Sequence, residues 1–196
     1  MRQVTRRPHL FIAGAAVLAL ALSSVGAPQL AHAGMVVPPT LPTSWQTTLS
    51  GNMTHLVGHA TGTQNYACTA GASGNVWTFV GPQATLYGDN GHVIAMHFAV
   101  PGSNPPVPEW QANDGSTVVG HKLAATTPDP TAIPWLLLSA ASTSMGPDGG
   151  DRLAATTYIV LATTTAGLAP TTACNVGDTA NVPYTADYYF YQAADD

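Results

Sequence analysis

The sequence predicts an all-β domain: one antiparallel β-sandwich or barrel, held by one disulfide, behind a cleaved signal peptide. Three observations carry this. Short apolar runs containing Val, Thr, Tyr and Ile alternate with clusters of Gly, Pro, Asn and Asp. The clusters recur at the spacing of about 8–12 residues that marks sandwiches and barrels. No segment carries a convincing amphipathic helical pattern.

Residues 1–33 read as the leader. A start containing Arg2, Arg6 and Arg7 precedes an apolar run over about 10–22, and Ala31-His32-Ala33 makes a small-x-small cleavage site before Gly34. Thr5-Arg6-Arg7-Pro8-His9-Leu10 resembles the twin-arginine export pattern, with His9 where an aromatic is usual, so ordinary Sec export is the alternative. The apolar run is too short for a bilayer span. The mature chain is therefore expected to have no membrane span and to be secreted or extracytoplasmic. Residues 34–50, with Pro38, Pro39 and Pro42, read as a Pro-rich arm, 51–192 as the β domain and 193–196 as an acidic tail.

Within the domain, Val76-Trp77-Thr78-Phe79-Val80 and Ala84-Thr85-Leu86-Tyr87 are strand-like. Asp89-Asn90-Gly91 then predicts a hairpin with a two-residue turn, leading into the strand that carries His92 and His97. Asn113-Asp114-Gly115-Ser116 predicts a second turn before Thr117-Val118-Val119-Gly120. Residues 135–140, continuously apolar after Pro134, predict a strand buried on both faces. Residues 156–165 are β-branched and long, and 184–191 form an aromatic closing strand.

Charge narrows the function classes. With the leader removed, Lys122 and Arg152 are the only cations against ten carboxylates, a formal net charge of −8. So few cations cannot hold nucleic acid, phosphate or an anionic membrane by charge. Cys68 and Cys174, an even pair in an exported chain, predict a disulfide.

Three constellations could carry chemistry. His97, with His55, His59 and His121, is the set from which a mononuclear copper or zinc site would be drawn, since imidazole suits both metals. The spacing contains no H-x-H pair and no H-E-x-x-H, so histidines without a metal are the commoner arrangement, and no cofactor is fixed by the sequence. Asp114, Ser116 and Glu109 could serve a hydrolase, although no Gly-x-Ser-x-Gly elbow is present. Trp45, Trp110, Tyr188, Tyr189 and Tyr191 could build a stacking face; Trp110, Asp114, Ser116 and Tyr188 are its candidate ligand-binding residues. A dinucleotide fingerprint and a phosphate-binding loop are both missing.

From residue 64 onward the ordered motifs carry a resemblance. They are Gln64-x-Tyr66-x-Cys68, Trp77-x-Phe79, Pro82-x-Ala84-x-Leu86, Gly91, His97, Trp110 and Asp114-Gly115-Ser116-x-Val118-x-Gly120. Ile133-Pro134-Trp135-Leu136-Leu137-Leu138, Leu168-Ala169-Pro170, Cys174 and Val182-Pro183-Tyr184-Thr185-Ala186-Asp187-Tyr188-Tyr189-Phe190-Tyr191 follow. The chain is similar to the secreted domain-of-unknown-function family 3455 of bacteria and fungi. Some fungal members carry a malate-dehydrogenase label, which this sequence does not support. Where the family has a compact His-x-x-Gly-Pro-x-Trp, this chain inserts a Pro-rich stretch over 99–109. Where the family has Gln-Arg after the long strand, this chain has Val160-Leu161.

The expected function is non-catalytic binding of a small molecule, an extracellular surface or a protein. A histidine-ligated copper or zinc oxidoreductase is the alternative, and an extracellular hydrolase the third reading.

Overall fold

The computed structural model describes residues 38–194, so the leader expected over 1–33 lies outside the described residues. A short helix α1 (Thr43–Thr48) precedes eight strands. These are β1 (Asn52–Gly71), β2 (Gly74–Tyr87), β3 (Val93–Ala99), β4 (Pro108–Ala112), β5 (Thr117–Thr126), β6 (Trp135–Ser144), β7 (Thr156–Ala166) and β8 (Thr179–Ala193). Each strand pairs antiparallel with the next, and β8 pairs back onto β1, closing a barrel. Of sandwich and barrel, the fold is the barrel. No helix among the described residues is long and apolar enough to cross a membrane.

Strand alternation sorts the side chains. On β8, Tyr184, Ala186, Tyr188 and Phe190 enter the barrel core, while Tyr189 and Tyr191 face outward. On β6 and β7, Leu138, Ile159 and Leu161 point inward while Leu137, Val160 and Ala162 point out. The outward set is buried as well. Leu41, Trp45 and Leu49 from α1 and its flanks pack over Val57, Leu137, Val160 and Tyr189. This explains the continuous apolar run beginning at Trp135: the barrel interior takes one face and α1 the other. The 34–50 segment read as a Pro-rich arm thus contains a helix over Thr43–Thr48, with Trp45 only 4% exposed.

Two local expectations change. The two short strands read over 76–80 and 84–87 are one strand, β2. Its pairing with β1 skips Val80, because Tyr66 faces Phe79 while Asn65 faces Gly81, so the break in the pattern is a bulge rather than a turn. The β2–β3 connection is also longer than the two-residue turn expected. Gly88 N–H donates to the His92 carbonyl (2.9 Å) across Asp89, Asn90 and Gly91, with Gly91 at φ 75°.

The barrel has unlike ends. At one, residues 145–155 fold across the opening and Leu153, fully buried, enters the core. Leu153 N–H donates to Ser116 Oγ (3.0 Å), and Arg152 N–H to Asp114 Oδ2 (2.9 Å). At the other end the strands run on into loops 100–107, 127–134 and 167–178, and the interior stays accessible.

Candidate functional site

At the open end lies a cavity of about 630 Å3. Its size falls in the range of small-molecule sites, and an eight-stranded barrel is just wide enough to hold one small ligand. Leu136, Leu138, Leu161 and Tyr188 line it from the barrel interior. Phe79 and Pro82 of β2 form one side, and Pro105, Pro106 and Val107 of the 100–107 loop another. Carboxylates are absent from this lining.

The polar side chains facing the cavity are Gln64, Tyr66, His97, His121, Lys122 and Tyr188. His97 is 4% exposed and donates Nδ1–H to the Glu109 carbonyl (2.9 Å). A carbonyl only accepts, so the proton sits on Nδ1 and Nε2 carries a bare lone pair. Burial pushes the imidazole down to about 4, against a weaker upward pull from the Glu109 hydrogen bond, so His97 is neutral at pH 7. The ring stacks on Trp110 with centroids 4.3 Å apart and planes 4° from parallel, and meets Tyr188 edge-on at 5.1 Å. Gly120 makes this stack possible, since a Cβ there would lie 2.9 Å from the Trp110 ring. Gln64, 6% exposed, shares the cavity wall, and its carboxamide has no hydrogen-bond partner among the described residues.

The wall is braced from behind by the 167–178 loop. Cys68 of β1 is bonded to Cys174. Tyr66 OH donates to the Gly167 carbonyl (2.8 Å) and the Trp77 indole N–H to the Thr172 carbonyl (3.0 Å). Cys68 N–H also donates to the Asp178 carbonyl (2.8 Å). The predicted disulfide is therefore present, and it fixes the chain reversal between β7 and β8 beside the cavity.

The sequence-nominated residues are divided by this architecture. Trp110 and Tyr188 lie together in the core at 5.5 Å, with Tyr188 at the cavity. Trp45, Tyr189 and Tyr191 pack on the outer face with α1, so the aromatics form two clusters and not one stacking face. Asp114 and Ser116 sit at the sealed end. Ser116 Oγ donates to Asp114 Oδ1 (2.6 Å) and accepts from Leu153 N–H, which commits the hydroxyl to the turn. Burial would raise the Asp114 carboxyl, but hydrogen bonds from the Ser116 hydroxyl, Arg152 N–H and Ser116 N–H outweigh it and hold it at about 2.

The four histidines are likewise separated. His97 and His121 line the cavity. His59 stands on the outer wall between two carboxylates, with Nδ1 2.6 Å from Asp187 Oδ1 and Nε2 2.9 Å from Asp89 Oδ1. Those hydrogen bonds, from Asp89 first and Asp187 second, raise its pKa. His55 instead faces the Thr156 hydroxyl, with Nε2 3.4 Å from Oγ1. Among the described residues no three His, Cys, Asp or Glu side chains are grouped to hold one metal ion.

Residues 49–192 match the family described as Protein of unknown function (DUF3455), a span holding all of the barrel but the last residue of β8. The chain belongs to that family. No curated protein and no solved structure matches it.

Of the polar residues lining the cavity of this DUF3455 member, the sequence pointed to His97, His121 and Tyr188 but not to Gln64 or Lys122 as site residues. Gln64 entered only as a motif position, yet it shares parity on β1 with Ala60 and Gly62, small residues that fit a crowded interior. The proline-rich stretch 99–109, noticed as an insertion, supplies one side of the mouth.

Proposed function

We propose that this protein is a binding protein that holds one small, predominantly apolar molecule in the open end of its barrel, in an extracytoplasmic compartment. The carrying observation is the cavity itself, apolar in most of its lining yet containing a few polar side chains, Gln64 and His97 the most deeply set of them, whose cavity-facing groups lack protein partners. A ligand that donates to His97 Nε2 and pairs with the Gln64 carboxamide takes the place of cavity water on these groups, while its body displaces water from the Leu and Pro lining. Binding without turnover is supported by the chemistry of the wall. His97 at a pKa of about 4 is a weak base at neutral pH, and its only side-chain hydrogen bond runs to a backbone carbonyl. The disulfide supports the compartment, because such bonds persist where the surroundings are oxidising.

The test is titration with N-phenyl-1-naphthylamine, a neutral apolar fluorophore, and its displacement by dodecan-1-ol. One saturable site per chain is expected. Val107→Trp, which places an indole at the mouth, should weaken it by about tenfold or more, as expected when a small apolar site is filled. No saturable binding, or binding indifferent to Val107→Trp, would remove the barrel mouth as the site.

A further inference from the structure

The lining of the cavity contains one formal charge. Lys122 of β5 reaches it, and no Asp or Glu does. Two features of β5 put the lysine there. Its register sets Lys122 opposite Leu138 and Gly120 opposite Ala140, both on strand positions whose side chains pack with the barrel core. A bulge between Lys122 and Ala124 then displaces Leu123, which is 46% exposed, so the strand resumes alternation without turning Lys122 outward. The lysine makes no ion pair among the described residues. Arg152, the other cation of the β domain, lies at the sealed end, where its N–H bonds Asp114.

From this we propose that the ligand is an amphiphilic monocarboxylate, its apolar body in the barrel and its carboxylate at the rim against the Lys122 ammonium. The inference rests on the binding reading above and adds the ligand class. Charge complementarity favours it: an unpaired cation bordering a low-dielectric cavity attracts an anion more strongly than a lysine in open water would. The chain's many carboxylates do not cancel this, because exposed charges further than about 10 Å are screened at ordinary ionic strength. A single ammonium matches a single negative charge. It also excludes cationic amphiphiles, which would bring a like charge to Lys122 with no carboxylate in the lining to receive it.

The experiment compares dodecanoate with dodecan-1-ol, equal in chain length and different in charge, as displacers of the bound fluorophore at low ionic strength and below their aggregation limits. The readout is the ratio of the two affinities in the native protein, in Lys122→Met and in Lys122→Arg. Lys122→Met should lower the acid-over-alcohol ratio by about three- to fivefold, the range of a partly exposed ion pair. Lys122→Arg should keep the native ratio, and added salt should shrink it in the native and Arg proteins but not in Lys122→Met. An equal ratio in the native and Met proteins would overturn the carboxylate assignment while leaving the barrel as an apolar-ligand site. If neither compound displaces the fluorophore, the binding reading fails and the assignment fails with it. Both variants change an exposed side chain, and equal melting temperatures show that the comparison is made on folded protein.

Discussion

His97 donates its Nδ1–H to the Glu109 carbonyl and stacks on Trp110, so its protonation state is set by burial. In the fold its pKa lies near 4 and in the unfolded chain near 6.5. Below pH 6.5 the unfolded chain takes up a proton that the folded chain refuses, so stability falls as the pH drops from 6.5 toward 4 and is unaffected by this group above that window. Between about pH 7.5 and about pH 4.5 the loss amounts to roughly 2–3 kcal/mol. His59 acts with the opposite sign. Its raised pKa means that its contribution is present below 6.5 and is lost as the pH rises through its folded value. Comparing the native protein with His97→Phe by denaturant unfolding at both pH values separates the two, since His59 is common to both proteins. The native protein should lose more stability on acidification than the variant, and equal losses would place the imidazole in a wetter site than the barrel core. The sequence grouped His97 with His55, His59 and His121, of which the fold brings only His121 to the same cavity. Inward or outward placement depends on bulges, such as those near His55 and Lys122, that residue identity alone does not reveal.

Among the elements, the long β1–β2 hairpin and the 167–178 loop depend on one another. The loop has no strand of its own; the Cys68–Cys174 bond, the Trp77 indole and the Tyr66 hydroxyl hold it. The bond spans 106 residues, and closing a loop of that size restricts the unfolded chain by about 4–5 kcal/mol in the chain-entropy account. Replacing both cysteines by serine should therefore lower the melting temperature by about 10 °C or more for a chain of this length, as read by calorimetry. An unchanged melting point would mean that the hairpin and loop are held by their hydrogen bonds alone. The strands were legible because their β-branched runs and turn residues agree with one another. The helix α1 was not, because six residues directly after a proline-rich stretch give a weak periodic signal. Its trace is the four-residue spacing of Leu41, Trp45 and Leu49, all buried on the barrel's outer face.

For the whole molecule, what distinguishes a barrel from a sandwich is a single pairing, β1 with β8, and that is the least local one in the chain. It runs from Asn52 opposite Ala193 to Ala67 opposite Thr179, joining the first strand to the last. No turn residue encodes it, which is why the sequence left sandwich and barrel equally open. What favours closure is burial on both sides of the seam. Tyr188 and Phe190 fill the interior, while Val57 and Tyr189 lie beneath α1, so opening the seam exposes both clusters at once. Closure also leaves neither strand as an unprotected edge. Amide hydrogen exchange reads this directly. Amides bonded across β1 and β8 should exchange with the free energy of global unfolding, the same as those between β6 and β7. The 100–107 and 127–134 loops at the mouth should exchange through small local openings, as a site that admits a ligand requires. Seam amides that exchanged far more readily than the β6–β7 amides would show β1 and β8 acting as edges of an open sheet. The cavity would then lose the continuous wall that gives it one mouth and one sealed floor.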